Sequence, residues 1–349
     1  MPCGRAHSTH ALCVLKRAIE DILKDKDIFH NNEFVEYLKI GAMGPDPLAA
    51  TDWRLFVIQH KCSPKEFFNA LIIKIKENNL QNDPQVMAIL YGHLAHYVLD
   101  ATLHPYIYYI SAGSGLKFNG ELIKGDYVLD WHVLFENWFD RYAPDKFMPS
   151  EYQKQGNSFY SKLTITDRKL ILMLNEIYMR IYRVPNVGFK YVPAYVITVL
   201  FDKVKNFAFT GNFPVSTIFG NIQNDKDKVE KVQLILDKNP TFIHPVTGIE
   251  GAFDMRKEWE KAVHGALELF DDVSKVLFDG KNNSLNYNSY DNSYNTGLPS
   301  TVPIELTYGK GLSELYEDDE FDQNEGMKPE NVRVYTEADL DSLFRNKRR

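Results

Sequence analysis

An all-α fold is the expectation for this 349-residue chain, and three observations lead to it. Apolar residues recur at helical spacing over most of the length, several of those runs open with helix-capping residues, and alternation with period two is scarce. The length allows one large or two ordinary domains with a substantial core. Hydrophobic residues at 44% and charged residues at 25% match the composition of a soluble globular protein.

Helical periodicity places elements near 9–24, 64–78, 84–104, 126–141, 166–183, 190–208, 225–237 and 252–278. The first carries the apolar stripe of "ALCVLKRAIEDIL". The second opens on Ser63, Pro64 and Glu66, a capping box in which serine and glutamate satisfy orphan amides while proline sits where no amide is needed. Asp83 before Pro84 repeats that logic for the third, and Pro105 is expected to end it. Next, "IYYISAGSGLKFNGELIK" at 107–124 is the best hairpin candidate, with Gly and Asn at its turns, inserted between two helices. The remaining runs rest on their periodicity. From about 281 the chain turns Asn-, Ser- and Tyr-rich, then strongly acidic in "SELYEDDEFDQNEG", without the apolar content that offsets chain entropy. Residues 1–280 are therefore expected to form one folded domain, and 281–349 a flexible or docked tail. Its last stretch, "TEADLDSLFRNKRR", fits a short amphipathic helix that docks on the body or on a partner.

The net charge of −7 argues mildly against a nonspecific grip on nucleic acid or anionic membrane. Cys3, Cys13 and Cys62 are odd in number and lack CxxC spacing, so neither a disulfide framework nor a thiolate metal site is indicated. Lys16 and Arg17 interrupt the region where a secretory signal would need an apolar core, and "YVPAYVITVLF" is too short to span a bilayer. The expected location is cytoplasmic or peripheral at a membrane, in a reducing compartment.

The chemistry concentrates in four places. In "GHLAHYVLDATLHPYI", His96, Asp100 and His104 stand four apart, so they share one helix face and can converge on shared ions; buried polar residues bonded to neighbouring helices are the alternative. In "DWHVLFENWFD", His132 and Glu136 are again at i, i+4, which suits zinc or a plain ion pair. In "GAMGPDPLAATDWRLFVIQH", Asp46 sits between two prolines in a rigid loop or simple turn, with His60 fourteen residues on. His10, at the start of the first helix, is a fourth candidate or an ordinary surface histidine.

Taken together, the order His10, Asp46, His60, HxxxDxxxH and HxxxE, all N and O ligands, resembles the zinc-dependent phospholipase C family, which shares its fold with the fungal single-strand nucleases. The resemblance covers about residues 8–140, and more loosely "IHPVTGIEGAFDMRKEWEKAV" at 243–263. It implies an all-α, multi-helix phospholipase C/nuclease-like domain with a three-zinc cleft between helices. Asp46, His60, His96 and Asp100 would surround one ion, Asp100 would bridge to a second that also takes His10, and His104, His132 and Glu136 would hold the third. It implies hydrolysis of a phosphodiester, or of a phosphomonoester, by a metal-activated water, with Asp46 as the catalytic residue that orients or deprotonates it.

Two departures matter. Secreted relatives complete one zinc site with a processed N-terminal tryptophan, whereas this chain starts "MPCGRAHSTH"; His7, three residues before His10, is the candidate extra ligand. Choline-preferring relatives carry an aromatic after the loop aspartate, where Pro47 stands here. His93 reads as a core or supporting histidine, and His30, His244 and His264 as structural or surface residues. The aromatics Trp53, Tyr97, Tyr106, Tyr108, Tyr109 and Trp131 are read as core, or as lining for acyl chains or bases. The partner implied is a phosphoester substrate, phospholipid or nucleotide, with peripheral membrane contact. A nuclease or nucleotidase on the same fold, including one that cleaves cyclic nucleotides, and a noncatalytic phosphate-binding scaffold are the competing functions.

Overall fold

Ten α-helices make up most of the computed structural model among its described residues, which are 4–61, 63–111, 117–118, 121–122, 128–153, 159–210, 241–244, 246–279, 291–295 and 297–300. They are α1 (Gly4–Asp21), α2 (Asn32–Gly41), α3 (Trp53–Lys61), α4 (Pro64–Glu77), α5 (Pro84–Ser111), α6 (Val128–Phe147), α7 (Ser150–Gln153), α8 (Arg168–Tyr182), α9 (Val187–Thr210) and α10 (Met255–Ser274). Among the described residues, strands are confined to two short antiparallel pairs: β1 (Lys117–Phe118) with β2 (Glu121–Leu122), and β3 (Thr241–Ile243) with β4 (Glu250–Ala252). The fold is all-α, as the periodicity predicts. The run at 225–237 and the terminal "TEADLDSLFRNKRR" lie outside the described residues.

The long helix α5 is the axis of the molecule, with α1, α2, α6 and α10 packed around it. Its segment Pro84–Tyr109 is apolar and long enough to cross a membrane, but here nearly every side chain from Val86 to Leu99 is buried by neighbouring helices. Burial on all sides explains why this helix shows no one-sided stripe. It crosses α2 at almost backbone contact. A Cβ on Gly41 would lie 2.5 Å from the Ala88 carbonyl oxygen, and one on Gly92 would lie 2.4 Å from the Gly41 carbonyl carbon. That crossing brings the loop after α2 onto the middle of α5.

Helix ends follow the sequence in part. Asp83 caps α5, its Oδ1 accepting from the Gln85 and Val86 amides at 3.0 and 2.9 Å. Ser63 does not close a capping box: Pro64 and Glu66 stand in the first turn of α4, but the Ser63 hydroxyl donates instead to Asp291 Oδ1 at 2.6 Å. Pro105 does not end α5, which continues to Ser111. Proline removes one backbone bond, and burial of Ile107, Tyr108 and Tyr109 in the next turn offsets that loss. Three helices escape the periodicity reading, α2 with ten residues, α3 with nine and α7 with four, because a short helix leaves little period to detect.

Residues 291–295 and 297–300 form a closed loop. Ser293 N–H donates to the Leu298 carbonyl at 2.7 Å, Gly297 N–H to the Ser293 carbonyl at 3.0 Å, and Ser300 N–H to the Asp291 carbonyl at 2.8 Å. Ser293, Tyr294 and Asn295 are buried. The loop lies against α5 and the α3–α4 junction through Ser63, Tyr97 and Tyr108.

Candidate metal centre

Helix α5 supplies the centre of the site. His96, Asp100 and His104 fall on one face, all buried, with Asp100 only 5% exposed. The Asp100 carboxylate divides its neighbours between its two oxygens. Oδ2 lies 2.9 Å from His96 Nε2 and 3.7 Å from His60 Nε2. Oδ1 lies 3.2 Å from His7 Nε2 and 3.9 Å from His104 Nε2. Asp46 joins the first set, its Oδ1 being 3.2 Å from His60 Nε2 and 3.7 Å from His96 Nε2. One ligand atom from each of Asp46, His60, His96 and Asp100 lies within 4.8 Å of the others.

The loop that presents Asp46 depends on Gly44. Its φ of +56° is a conformation that side chains rarely adopt, and a Cβ there would stand 2.4 Å from His96 Cδ2. The loop backbone therefore rests directly on the His96 ring. Asp46 opens a short 3₁₀ turn, Asp46–Ala50, against which α3 and α9 pack, and α3 returns His60 to the site.

The imidazole tautomers follow from their partners. A carbonyl oxygen can only accept, so each Nδ1 facing one must carry a hydrogen, and in the neutral ring Nε2 is then the lone-pair nitrogen. His60 Nδ1–H donates to the Phe56 carbonyl at 2.7 Å, within its own helix. His96 Nδ1–H donates to the Ala42 carbonyl at 3.1 Å. His104 Nδ1–H donates to the Tyr294 carbonyl at 2.9 Å. Three Nε2 atoms thus point toward two carboxylates.

Electrostatics fits a site that competes with protons. Burial alone would push His60 down, but Asp100 and Asp46 hold it up at about 10. His7 is likewise raised: burial pushes it down, but the charge and hydrogen bond of Asp100, with Asp46 and Asp140, together push it up further. Asp100 is buried, which favours its neutral form, yet His104, His96 and His7 hold its carboxyl well below the usual range. His10 and His93 go the other way, to about 3, through burial and the charge of His7 and His96 respectively. Both are therefore neutral.

The structure separates His10 from His7. The His10 ring is fully buried edge-on to Trp259 of α10, at 5.3 Å between centroids, outside the Asp46–His60–His96–Asp100 group. The surface-histidine reading of His10 is therefore wrong, since α10 covers it. His7 faces Asp100 and stacks on His96 at 4.0 Å between centroids. Its position is set by a clamp on the start of α1: Asp140 Oδ1 accepts from the Arg5 and Ala6 amides, each at 3.0 Å. The Arg5 guanidinium also grips Asp202 at 2.8 and 3.0 Å. Glu136 is buried on α6, which packs against α1 and α5. His132 falls one turn earlier on α6, and its side chain lies outside the described residues. Pro47 is buried within the Asp46–Ala50 turn.

These residues fit zinc. Their donors are imidazole nitrogen and carboxylate oxygen, the set zinc accepts. His96 Nε2 and Asp100 Oδ2 are buried and, although 2.9 Å apart, neither makes a hydrogen bond of acceptable geometry. Buried polar atoms without hydrogen bonds are costly, and a cation between them removes the cost.

The model of the family described as zinc dependent phospholipase C matches residues 7–183, about half of the chain. The chain belongs to the zinc-dependent phospholipase C family. No curated protein and no solved structure matches it. The matched stretch begins at His7 and holds every ligand candidate in the zinc-dependent phospholipase C reading, from His7 and His10 through Glu136. Sequence reasoning missed Asp140, although HxxxExxxD extends the His132–Glu136 spacing by one more turn. It also missed Tyr294 and Asn295, for which "NSYNTG" carries a turn signal and nothing that ties it to a metal site.

Proposed function

We propose that the chain is a zinc-dependent phosphodiesterase of the phospholipase C type, acting on a phospholipid or a related small phosphoester. The observation that carries the reading is the buried Asp100 carboxylate, whose Oδ2 meets His96 and His60 while Oδ1 meets His7 and His104. A carboxylate flanked in this way serves two cations, and membership of the family supplies their identity. In this reading Asp46, His60, His96 and Asp100 hold one ion, Asp100 and His7 a second, and His104, His132 and Glu136 a third. His10, turned to Trp259, supports the fold instead.

Bound zinc supplies Lewis-acid polarisation of the phosphoryl oxygens and makes water more acidic. Asp46 is the residue that accepts the proton of the attacking water; its loop is stiffened by Pro45 and Pro47, and His60 lies 3.2 Å from its Oδ1. The products are a phosphomonoester and an alcohol. Apolar surface beside the site favours a lipid. Trp53, 52% exposed, stacks on Phe56, which packs on His60 at 4.3 Å between centroids. Ile197, Leu200 and Phe201 line one exposed face of α9, the helix that packs on the Asp46 turn. Membrane contact in this reading is peripheral.

The test is metal analysis followed by a substrate panel of phospholipids, single-stranded nucleic acid, mono- and cyclic dinucleotides and a nitrophenyl phosphodiester. Two or three zinc ions per chain and cleavage of phospholipid are expected. A folded chain that takes up no zinc would sink the reading, and cleavage of nucleotides alone would replace the substrate while keeping the site.

A further inference from the structure

The lone-pair directions of His60 and His96 are set by carbonyls within the stretch that matches the family, Phe56 and Ala42. For His104 the carbonyl comes from Tyr294, 190 residues away and beyond that stretch. Tyr294 does more than accept this bond. Its ring packs on His60 at 5.2 Å, on His96 at 6.1 Å and on Tyr97 at 5.0 Å between centroids, so one buried residue touches three of the ligand histidines.

The loop bearing Tyr294 is anchored around the site by polar contacts. Asn295 Oδ1 accepts from the Tyr108 hydroxyl at 2.6 Å, and its Nδ2 donates to the His60 carbonyl at 3.3 Å. Tyr108 itself stacks on His104 at 5.4 Å between centroids. Asn292 N–H donates to the Tyr97 hydroxyl at 2.9 Å, and Asp291 accepts from Ser63. Gly297, at φ +64°, lies so close to α5 that a Cβ would stand 2.4 Å from the Ala101 carbonyl oxygen, one residue past Asp100.

We propose that residues 291–295 and 297–300 are a positioning strap of the metal centre: the Tyr294 carbonyl holds His104 in the tautomer and orientation that present Nε2, and Asn295 and Gly297 hold that carbonyl in place. The proposal rests on the zinc reading of the site. Groups that orient a metal-binding histidine through its other nitrogen typically change metal affinity 10–100-fold when lost. The strap is thus part of the site although it lies outside the matched stretch, and its Asn, Ser and Gly content serves main-chain and amide contacts instead of an apolar core.

The experiment uses the full chain and its Asn295→Ala, Gly297→Ala and Tyr108→Phe variants, with zinc content and affinity read by chelator competition. Far-UV circular dichroism of the zinc-free proteins reads the fold, and visible absorption of the cobalt(II)-substituted proteins reads ligand geometry. Asn295→Ala and Gly297→Ala should fold, bind part of the zinc about 10–100-fold more weakly and change the cobalt spectrum. Tyr108→Phe, which loses one hydroxyl and keeps the ring, should show the same change at smaller size, and it decides the matter should the other two fail to fold. Wild-type zinc affinity and cobalt spectrum in every folded variant would overturn the strap alone. A wild-type chain that binds no zinc would overturn the strap and the site reading together.

Discussion

Replacing Gly44 by alanine tests the geometry of the site through one methyl group. The added carbon would sit 2.4–2.8 Å from three atoms of the His96 ring, whereas ordinary contact begins near 3.4 Å, so ring or loop must retreat by about 1 Å. The ring has little freedom to do so, being stacked with His7 and tied to the Ala42 carbonyl. Alanine at φ +56° adds about 1–2 kcal/mol of backbone strain. Overpacking of this kind adds about 1–3 kcal/mol. The expected loss is therefore about 2–5 kcal/mol of folding stability, read by urea denaturation of the zinc-free protein. Metal sites tolerate only about 0.2 Å in ligand distance. Zinc should therefore bind at least about 10–100-fold more weakly by chelator competition, the range seen when ligand orientation alone is disturbed. Gly251→Ala, with nothing within 4 Å of its Cβ, is the control and should change neither quantity. A Gly44→Ala chain with wild-type stability and zinc affinity would refute the contact between loop and ring on which the site description depends.

Two further outcomes follow from the same geometry. Asp140→Ala removes the cap of α1 and strands two amides, one of them on fully buried Ala6, so a loss of about 1–3 kcal/mol is expected in thermal or urea melts. Zinc affinity should fall with it, because His7 is the next residue, while Asp140→Asn keeps the acceptor and should lose less. Zinc binding near pH 7.5 should release protons, seen as a dependence of calorimetric heat on buffer ionisation enthalpy, because His60 is held at about 10 and must be neutral to bind metal. The sign for the metal-free protein is fixed by the same residue: its folded pKa lies above the ordinary 6.5, so its stabilising contribution is complete below that pH and fades as pH rises through about 10. Binding heats independent of buffer would contradict that assignment.

What could be read from residue order alone was whatever depends on near neighbours. The i, i+4 line of His96, Asp100 and His104 is a local property of a helix, so its convergence on one face needs no tertiary information. The all-α class and the Asp83 cap are local in the same sense. Local order could not choose between His7 and His10. Three residues apart, they point roughly 60° from each other around α1. Which of them meets Asp100 is set by the clamp of Asp140 and Asp202 on the start of that helix and by Trp259 filling the other direction. Nor could it show why Ser63 abandons its own helix for Asp291, or that Tyr294 covers the ligand histidines, since these contacts join residues about 190–230 positions apart. Composition read that region as tail because it lacks apolar content. The tertiary structure holds residues 291–295 and 297–300 through backbone and amide hydrogen bonds, which composition does not register.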